Sequence, residues 1–318
     1  MTDIVPEGPG GAAPDGPIPN GPTRCGFAAL VGAPNAGKST LINQLVGAKV
    51  SIVTHKAQTT RSRIRGIAMA GQAQIILVDT PGIFKPKRRL DRAMVQAAWA
   101  GAGDADVIVL VVDAAKGRAD DDVRRIIDGL KANRQRAVLA LNKVDGMKRE
   151  RLLPIAGEYA SLFDFDAVFM ISALNGSGCD DLKRLLAERM PEGPWHYPED
   201  ELSDLPMRLM AAEVTREQVF LKLHDELPYE ATVETDLWTE RDDGSVRIDQ
   251  TIFVERDTQR MIVLGKGGRK IREMGQLARE QLEAMLERRV HLFLFVKVRE
   301  DWQEDRERYA TWGLEWDA

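Results

Sequence analysis

Residues 32–39 read Gly32-Ala33-Pro34-Asn35-Ala36-Gly37-Lys38-Ser39 and fit the pattern G-x-x-x-x-G-K-[ST] of a phosphate-binding loop. The two glycines let the backbone wrap around phosphate groups, so that successive N–H groups point inward at the start of a helix. Lys38 is expected to reach the β- and γ-phosphates, and the Ser39 hydroxyl is expected to bind Mg²⁺. An apolar strand before the loop and a helical stripe after it supply the context that the motif requires. The stretch therefore predicts a site for nucleotide phosphates.

Length, composition and charge limit the classes of protein to which this chain can belong. The 318 residues suggest about two domains, and a hydrophobic fraction of 44% provides material for packed cores. The net charge of -5 gives no overall signal for nucleic acid. The two cysteines, Cys25 and Cys179, do not make a disulfide framework, which favours a reducing, cytoplasmic compartment. No apolar run approaches the roughly 18 residues of a membrane span.

Composition and patterning divide the chain into five segments. Residues 1–22 are rich in Pro and Gly and predict a disordered tail. Residues 23–190 alternate apolar strands with helices, which is the pattern of an α/β domain with a parallel sheet. Prolines and acidic residues at 191–206 indicate a linker. Residues 207–305 predict a second domain, and residues 306–318 a C-terminal tail.

The strands predicted in the first domain end in polar residues that suit a nucleotide and its metal. These strands, at 74–79, 107–113, 138–142 and 168–172, are almost continuously apolar, which predicts burial on both faces. In such sheets, ligands bind beyond the carboxyl ends of the strands. Asp79-Thr80-Pro81-Gly82 ends the first of them: Asp79 can hold Mg²⁺, and the Gly82 N–H can meet the γ-phosphate. The tetrapeptide also suits an ordinary turn, but its distance of about 40 residues from Lys38 favours the metal site.

The later strand ends carry residues that can recognise guanine. Asp145 can accept two hydrogen bonds from the ring N–H and exocyclic amine of guanine, a donor pair that adenine lacks. Asn142 can bridge the base and the phosphate loop, and the stem of Lys143 can cover the ring. Residues 142–145 taken alone also suit a surface turn. Ser172-Ala173-Leu174 follows the last strand, where the Ala173 N–H can meet the guanine oxygen.

The phosphate loop at 32–39 and the strand-end segments at 79–82, 142–145 and 172–174 follow one another in the order of a translation-factor-type GTPase domain. The chain therefore resembles such a domain, a Ras-like member of the P-loop NTPases. The resemblance covers residues 26 to about 190 and implies a first switch at 56–61, with a threonine whose hydroxyl joins Mg²⁺ when the γ-phosphate is bound. Thr60 is the predicted residue, with Thr59 as the alternative. The resemblance also implies catalytic roles for Lys38, Thr60 and Gly82. The predicted nucleotide contacts are Gly32, Ala33, Pro34, Asn35, Ala36, Gly37, Lys38, Ser39, Thr40, Asp79, Thr80, Pro81, Gly82, Asn142, Lys143, Asp145, Ser172, Ala173 and Leu174, with Ser39, Thr60 and Asp79 on the metal.

Two residues of this region bear on the rate of hydrolysis. Ile83 follows Gly82 where many related GTPases carry a glutamine that orients the attacking water. An aliphatic side chain cannot do so, and slow intrinsic hydrolysis is therefore expected. Asn35 resembles the asparagine of potassium-stimulated relatives, which raises K⁺ as a second cofactor beside Mg²⁺. An equally good interpretation is that Asn35 merely tolerates the loop geometry.

The second domain combines a helix, a hairpin and a glycine-rich loop. Met207, Met210, Ala211, Val214 and Leu221 predict one apolar face of a helix. Two strands at 231–240 and 245–255 flank a hairpin turn, and residues 291–298 predict a further strand. Between them lies a G-x-x-G loop joining two helices, which in KH modules lies against the backbone of single-stranded nucleic acid. By itself it could be a simple turn, but residues 256–272 carry six basic side chains and one acid, the charge pattern of an RNA reader.

A GTPase domain followed by a KH domain is similar to the Era family of ribosome-assembly GTPases. The segment 58–61 (Gln-Thr-Thr-Arg) and the ending 296–302 (Val-Lys-Val-Arg-Glu-Asp-Trp) carry the same resemblance, which covers residues 24 to about 305. It implies an α/β GTPase domain followed by an α+β KH domain of type II. It also implies that GTP favours a form that binds the 3′ end of small-subunit ribosomal RNA. The RNA contacts implied are Gly265, Lys266, Gly267, Gly268, Arg269 and Lys270.

The resemblance leaves a second class of function open. Such a protein could be a GTP-gated module of cell-cycle signalling, with a peripheral contact with the inner membrane and RNA binding secondary. Arg279, Arg288 and Arg289 could meet anionic lipid, although they alternate with glutamates as on a solvated helix face. Asp145 argues against an ATPase, because adenine lacks the pair of hydrogen-bond donors that this carboxylate can accept. The expected partners are GTP or GDP, small-subunit ribosomal RNA and the small ribosomal subunit, and the expected state is a cytoplasmic monomer with a membrane-associated fraction as the alternative.

Overall fold

The protein is described by a computed structural model that covers residues 22–54, 56, 60, 64–86, 88–224 and 227–317. Its first domain is built on a six-stranded sheet in the order β2-β3-β1-β4-β5-β6. The strands are β1 (Arg24–Val31), β2 (Ile64–Ala70), β3 (Ala73–Asp79), β4 (Val107–Asp113), β5 (Val138–Asn142) and β6 (Val168–Met170). All neighbours are parallel except β2 and β3, which run antiparallel.

The sheet departs from the sequence prediction in two places. A wholly parallel sheet was the expectation, but β2 adds an antiparallel edge after a connection of only two residues, too short for the crossover that a parallel neighbour needs. The last strand is also shorter than the predicted 168–172, and Val168 is 40% exposed. Burial on both faces is therefore wrong for β6, because it forms the other edge of the sheet.

Five helices cover the two faces of this sheet and complete two hydrophobic layers. The helices are α1 (Lys38–Val46), α2 (Arg89–Gly103), α3 (Asp121–Ala132), α4 (Leu152–Leu162) and α5 (Cys179–Arg189). Side chains of α1 and α5 pack against one face, and side chains of α2, α3 and α4 against the other. Strand β1 runs straight into the phosphate-loop motif, so the packed centre of the sheet fixes the position of that loop.

The second domain is a three-stranded sheet with helices packed on it. It begins with α6 (Met207–Lys222) and continues through β7 (Ala231–Glu240), β8 (Val246–Val254), α7 (Asp257–Leu264), α8 (Arg269–Leu286) and β9 (Val290–Val298). The sheet order is β7-β8-β9, with β7 antiparallel and β9 parallel to β8. Together the two domains confirm the predicted class, a Ras-like α/β domain followed by an α+β KH domain.

Helix α6 does not have the single apolar face that its sequence predicts. Met207 and Leu221 are exposed by 53% and 44%, whereas every residue from 210 to 220 is buried, including charged ones such as Glu217. The helix packs against its own domain, and it also touches the first domain through Met210 and Glu217. An element buried on several sides loses the one-sided pattern by which surface helices are recognised.

The C-terminal residues predicted as a tail contain a helix with a packed aromatic cluster. Helix α9 (Arg306–Thr311) and the residues after it cover the apolar side of α2. The cluster joins Trp302, Tyr309, Trp312 and Leu314 to Leu90, Ala93, Met94 and Ala97. Residues 302–317 therefore lie against the GTPase domain, although the sequence divides them between the KH domain and a tail.

The linker is also held against the first domain. Gln74, which is fully buried, accepts hydrogen bonds from the backbone N–H groups of His196 and Tyr197 at 2.9 and 3.0 Å and donates to the Tyr197 carbonyl. Farther along, the Ile67 N–H donates to the Leu202 carbonyl at 2.9 Å, and Arg65 pairs with Asp204 at 3.1 Å. A segment fastened at these points is not a flexible tether.

Candidate nucleotide and nucleic-acid sites

A cavity of about 450 Å³ lies beyond the carboxyl ends of the parallel strands, where the sheet topology places ligands. It brings together the phosphate-loop, first-switch and base-recognition residues that the sequence separates by more than a hundred positions. The predicted residues on its wall are Pro34, Asn35, Gly37, Lys38, Ser39, Thr40, Thr60, Gly82, Asn142, Lys143, Asp145, Ala173 and Leu174.

The phosphate loop is shaped by positive φ angles and by close packing. Gly37 has a φ of +97°, and a Cβ at this position would lie 2.2 Å from the Nδ2 atom of Asn142. Any larger residue would therefore push Asn142 away, which explains the glycine. Lys38 lies over the loop, where its Nζ atom donates to the carbonyls of Gly32 and Ala33 at 3.1 and 3.2 Å. Burial lowers the pKa of Lys38 to about 8, against the opposing attraction of Asp79.

Three oxygen-bearing side chains converge beside Lys38. Ser39 Oγ donates to Asp79 Oδ2 at 2.7 Å, and Thr60 Oγ1 lies 3.1 Å from Ser39 Oγ and 3.3 Å from Asp79 Oδ2. Asp79 is fully buried, and its Oδ1 atom has no hydrogen-bond partner among the residues that the structure describes. Burial raises the pKa of Asp79, while Lys38 and the hydroxyls act in the opposite direction.

This oxygen cluster fits Mg²⁺. Magnesium prefers oxygen ligands and is commonly held by one or two protein side chains together with substrate phosphates and water. The unshared Oδ1 of Asp79 and the two hydroxyls provide such donors next to the phosphate loop. Within the described ranges, no group of three or more His, Cys, Asp or Glu side chains offers another metal site. Thr59, the alternative to Thr60, lies outside the described residues.

Asn142 ties the base-recognition motif to the phosphate loop. Its Nδ2 donates to the Ala36 carbonyl at 2.9 Å, and its Oδ1 accepts from the Ala173 N–H at 2.9 Å. One buried side chain thus joins three loops that come from distant parts of the sequence. Asn142 was predicted to bridge the base and the phosphate loop, and the structure shows its contact with the loop; its contact with a base stays a prediction.

The neighbouring residues are held in position by further hydrogen bonds. Ser172 Oγ donates to Asp145 Oδ1 at 2.6 Å, which orients the carboxylate on the cavity wall. Lys143 Nζ donates to the Asn35 carbonyl and pairs with Asp113, each at 2.7 Å. The stem of Lys143 therefore crosses the cavity wall on its way to the phosphate loop. Ser172 acts on the site through Asp145, since it does not line the cavity itself.

Several predicted residues shape the site from behind the cavity wall. Thr80 is fully buried and donates through Oγ1 to the Leu30 carbonyl at 2.7 Å, and Pro81 is buried beside it. Gly32, Ala33 and Ala36 contribute the carbonyl groups described above. Ile83 is fully buried in the core layer on the α2–α4 side. Its side chain therefore cannot orient a water molecule in the cavity.

The sequence analysis missed one part of the wall. Ile52, Val53 and Thr54 line the cavity ahead of the predicted first switch at 56–61, although no motif marks them, and Lys56 of that switch lines it as well. Ser51 lies just behind them and donates to Asp79 Oδ2 at 2.7 Å. The available signal was their position between the helix α1 and the first-switch threonine, a segment that must pass the phosphates.

The G-x-x-G loop of the second domain is an exposed turn between α7 and α8. Its glycines Gly265, Gly267 and Gly268 have φ angles of +68°, +62° and +72°. Lys266, Arg269 and nearby Arg272 are exposed, and Lys270 is half-buried. Within the part of the chain that the structure describes, no carboxylate lies within salt-bridge distance of these four side chains. The loop thus presents positive charge, and its backbone is open at Gly267 and Gly268.

The arginines considered for a membrane contact are differently placed. Arg279 pairs with Glu283 at 3.1 Å, and Arg288 pairs with Glu240. Arg279 and Arg288 are therefore neutralised by carboxylates of the same domain, whereas the third arginine, Arg289, is exposed. This leaves the G-x-x-G loop as the more strongly basic part of the domain.

Comparisons with known proteins agree with both halves of the molecule. A family model described as a 50S ribosome-binding GTPase matches residues 27–143, and a KH domain model matches residues 226–303. The chain is 60% identical over 293 residues to the GTPase Era of Brucella suis biovar 1 (strain 1330), covering 92% of this chain and 94% of that protein. It is likewise 60% identical over 294 residues to the GTPase Era of Rhizobium meliloti (strain 1021), with the same coverage.

Solved structures give the same result at the level of the fold. The crystal structure of a point variant of Aquifex aeolicus Era bound to GDP·AlF₄⁻ is 36% identical, with a TM-score of 0.86 over 92% of this chain and 99% of that chain. A crystal structure of Era with MgGDPNP and nucleotides 1506–1542 of 16S ribosomal RNA is also 36% identical, with a TM-score of 0.87 and the same coverage. With identity of this extent along the chain, and with both domains matched, the chain belongs to the Era family of GTPases.

Proposed function

We propose that this GTPase is a nucleotide-controlled switch that binds the 3′ region of small-subunit ribosomal RNA and assists assembly of the small subunit. The observation that carries the proposal is a preformed nucleotide cavity and an exposed basic G-x-x-G loop on one chain. A 36% identical relative has been solved with MgGDPNP and the 3′ nucleotides of 16S ribosomal RNA, which supports the same pair of ligands here. The proposal implies a protein that works in the cytoplasm, where the subunits are assembled, as a monomer.

In the proposed nucleotide complex, each group of the cavity has one task. The backbone of residues 32–37 surrounds the phosphates, Lys38 holds the β- and γ-phosphates, and Asp145 accepts the two guanine donors. Ser39, Thr60 and Asp79 would hold Mg²⁺, which when bound neutralises charge on the β- and γ-phosphates. Asn35 also lines the cavity, and the proposal therefore includes K⁺ as a second cofactor bound near Asn35.

Hydrolysis requires in-line attack of a water molecule on the γ-phosphorus and breakage of its bond to the β-phosphate oxygen. The attacking water transfers its protons to phosphate and solvent, and GDP leaves with the bridging oxygen. Lys38 and Gly82 both line the cavity, and in this proposal Lys38 and the Gly82 N–H stabilise the charge that develops on the phosphate oxygens. Because Ile83 is buried in the core, no side chain at that position orients the water, and we expect slow intrinsic turnover.

RNA binding is assigned to the loop between α7 and α8. The glycines at 265, 267 and 268 let the backbone approach the RNA, while Lys266, Arg269 and Lys270 supply positive charge. A peripheral membrane role has less support, since Arg279 and Arg288 are paired with glutamates. In the described part of the chain, none of the helices combines the length and apolar character needed to cross a bilayer.

The proposal is tested by RNA binding with a GTP analogue, with GDP and without nucleotide. The probe is a short 3′-terminal fragment of small-subunit ribosomal RNA, titrated at several salt concentrations. We expect the tightest binding with the GTP analogue and its loss in Gly267→Asp, which puts a negative charge on the loop. Gly244→Asp is the matched control, since Gly244 also has a positive φ and open surroundings but lies in the β7–β8 hairpin.

Two results would contradict the proposal. Equal affinity in all three nucleotide states would mean that the nucleotide does not control RNA binding. Equal loss in the two aspartate variants would mean that the G-x-x-G loop is not the RNA site. Binding to anionic lipid vesicles, measured in parallel, separates the RNA proposal from the membrane alternative.

A further inference from the structure

Residues 49–53, here called the strap, form a short segment between helix α1 and the first-switch threonine. The side chain of Asn43 on α1 forms hydrogen bonds with the backbone of the strap. Its Nδ2 donates to the Ser51 carbonyl at 2.8 Å. Oδ1 of the same amide accepts from the N–H groups of Val50 and Ser51, each at 2.9 Å. These three hydrogen bonds fix the position of Ser51 relative to the helix that begins at Lys38.

The other side of the strap is fixed by the KH domain. Glu217 on α6 accepts from the Val53 N–H through Oε1 at 2.9 Å, and its Oε2 pairs with Lys49 at 2.5 Å. Glu217 itself is only 3% exposed, whereas the side chain of Lys49 is 33% exposed, so the two contacts are partly buried. The strap is therefore held from the GTPase domain on one side and from the KH domain on the other.

Ser51 uses this fixed position to hold the carboxylate of Asp79. Its Oγ donates to Oδ2 at 2.7 Å, and Ser51 is 1% exposed and lies outside the cavity wall. Ser39 and Thr60, the other hydroxyls on Oδ2, line the cavity. In the proposed complex Ser39 and Thr60 would also bind the cation through their hydroxyl oxygens, whereas the Ser51 hydroxyl would only donate its hydrogen bond to Asp79.

We propose that Ser51 is a positioning residue that orients the Asp79 carboxylate toward the divalent metal of the bound nucleotide. Ser51 holds Oδ2, the oxygen that also meets Ser39 and Thr60, while Oδ1 has no hydrogen-bond partner among the described residues. The inference rests on the proposed assignment of Asp79 to the metal.

The test measures release of a fluorescent GDP analogue from the full-length protein over a range of Mg²⁺ concentrations and in EDTA. For Ser51→Ala we expect about a tenfold higher Mg²⁺ concentration for half-maximal retention of GDP, the effect of losing a hydrogen bond to a charged group. In EDTA the release rate should equal that of the unmodified protein. Ser51→Thr keeps the hydroxyl and should restore the Mg²⁺ dependence.

Ser245→Ala is the matched control. Ser245 is 3% exposed and donates through Oγ to an aspartate, Asp243, at 2.6 Å, but it lies in the hairpin of the KH domain. If Ser51→Ala has the same Mg²⁺ dependence as this control, the inference is wrong. If the unmodified protein itself releases GDP independently of Mg²⁺, the proposed metal site fails instead.

A second variant keeps the inference testable if Ser51→Ala does not fold. Asn43→Ala leaves the Ser51 hydroxyl in place but removes the three hydrogen bonds that fix the strap. We expect a shift of the Mg²⁺ dependence in the same direction. An unchanged Mg²⁺ dependence in a folded Asn43→Ala protein would overturn the positioning role.

Discussion

Asp145 and Ser172 show how single residues prepare the base-recognition end of the cavity. The Ser172 hydroxyl donates to one oxygen of the Asp145 carboxylate at 2.6 Å, so the carboxylate is oriented by the protein. Asn142 fixes the adjoining loops through its two hydrogen bonds. A carboxylate that is already oriented loses little freedom on binding, which favours a strict choice of base.

Asp145→Asn should change the preferred base from guanine to xanthine. The amide replaces one acceptor by a donor, which matches the carbonyl of xanthine and leaves the exocyclic amine of guanine unpaired. We expect GTP affinity to fall by at least about 100-fold and XTP affinity to rise. Competition of unlabelled GTP, ATP and XTP against a fluorescent nucleotide measures both changes. Asp128→Asn, an exposed position on α3, is the control, and unchanged selectivity at position 145 would contradict the guanine assignment.

The residue scale also shows what the sequence could predict. Gly37, Lys38 and Asn142 were predictable because their roles depend on backbone shape and on contacts that recur wherever this loop binds phosphate. Ser51 was not predictable, since its contact with Asp79 spans 28 positions and requires the fold to bring two loops together. A single serine belongs to no motif with a fixed spacing, so the role of its hydroxyl can be assigned only when the folded structure shows which group it contacts.

At the scale of elements, the C-terminal segment differs most from its prediction. A helix of six residues is too short to show a hydrophobic period, and the aromatic residues after it have no strand or helix pattern. They form a core only because α2 offers a matching apolar side. Strand β2 was not among the predicted strands, and the pattern of a strand does not in any case state the direction of its neighbour.

Trp312→Ala tests whether the C-terminal segment stabilises the GTPase domain. The indole is 8% exposed and packs with Tyr309 and Trp302 on α2, so its removal leaves a cavity. We expect the free energy of unfolding to fall by about 3 kcal/mol, measured by urea denaturation. The control is Leu153→Ala, which truncates a side chain that is 75% exposed. A loss no larger than that of the control would mean that the segment does not support α2.

At the scale of the whole molecule, the domains meet through charged contacts as well as apolar ones. Glu217 on α6 reaches the strap, and Lys56 Nζ donates to the Leu223 carbonyl at the end of the same helix. Arg88 and Arg89, at the start of α2, pair with Glu230 and Glu304 at 3.6 and 3.3 Å. The KH domain and the C-terminal segment therefore contact the chain close to the first switch and to the segment that follows Gly82.

Glu217→Ala tests whether this contact supports the nucleotide cavity. The change leaves the Val53 N–H and Lys49 without their acceptor at a partly buried position. We expect a loss of about 2 kcal/mol in stability without nucleotide, because a partly buried backbone N–H and a partly buried lysine both lose their acceptor. GDP should also dissociate several-fold faster, since the strap loosens.

The matched control for this variant is Glu273→Ala. Glu273 pairs with Lys222 of α6 at 2.6 Å but is 55% exposed, and exposed ion pairs contribute less than about 1 kcal/mol. Thermal unfolding and GDP release are measured for both variants. If Glu217→Ala releases GDP at the rate of Glu273→Ala, the KH domain does not support the nucleotide cavity through this residue.

The linker between the domains also occupies the outer edge of strand β2. Ser203 forms an antiparallel bridge with Gly66, and the Leu202 carbonyl takes the N–H of Ile67 that would otherwise face outward. An uncovered strand edge offers its backbone groups to other chains and is a starting point for aggregation. The segment that joins the two domains thus also keeps separate molecules from pairing along this sheet, so a substitution that detaches it would lower solubility as well as loosen the domains.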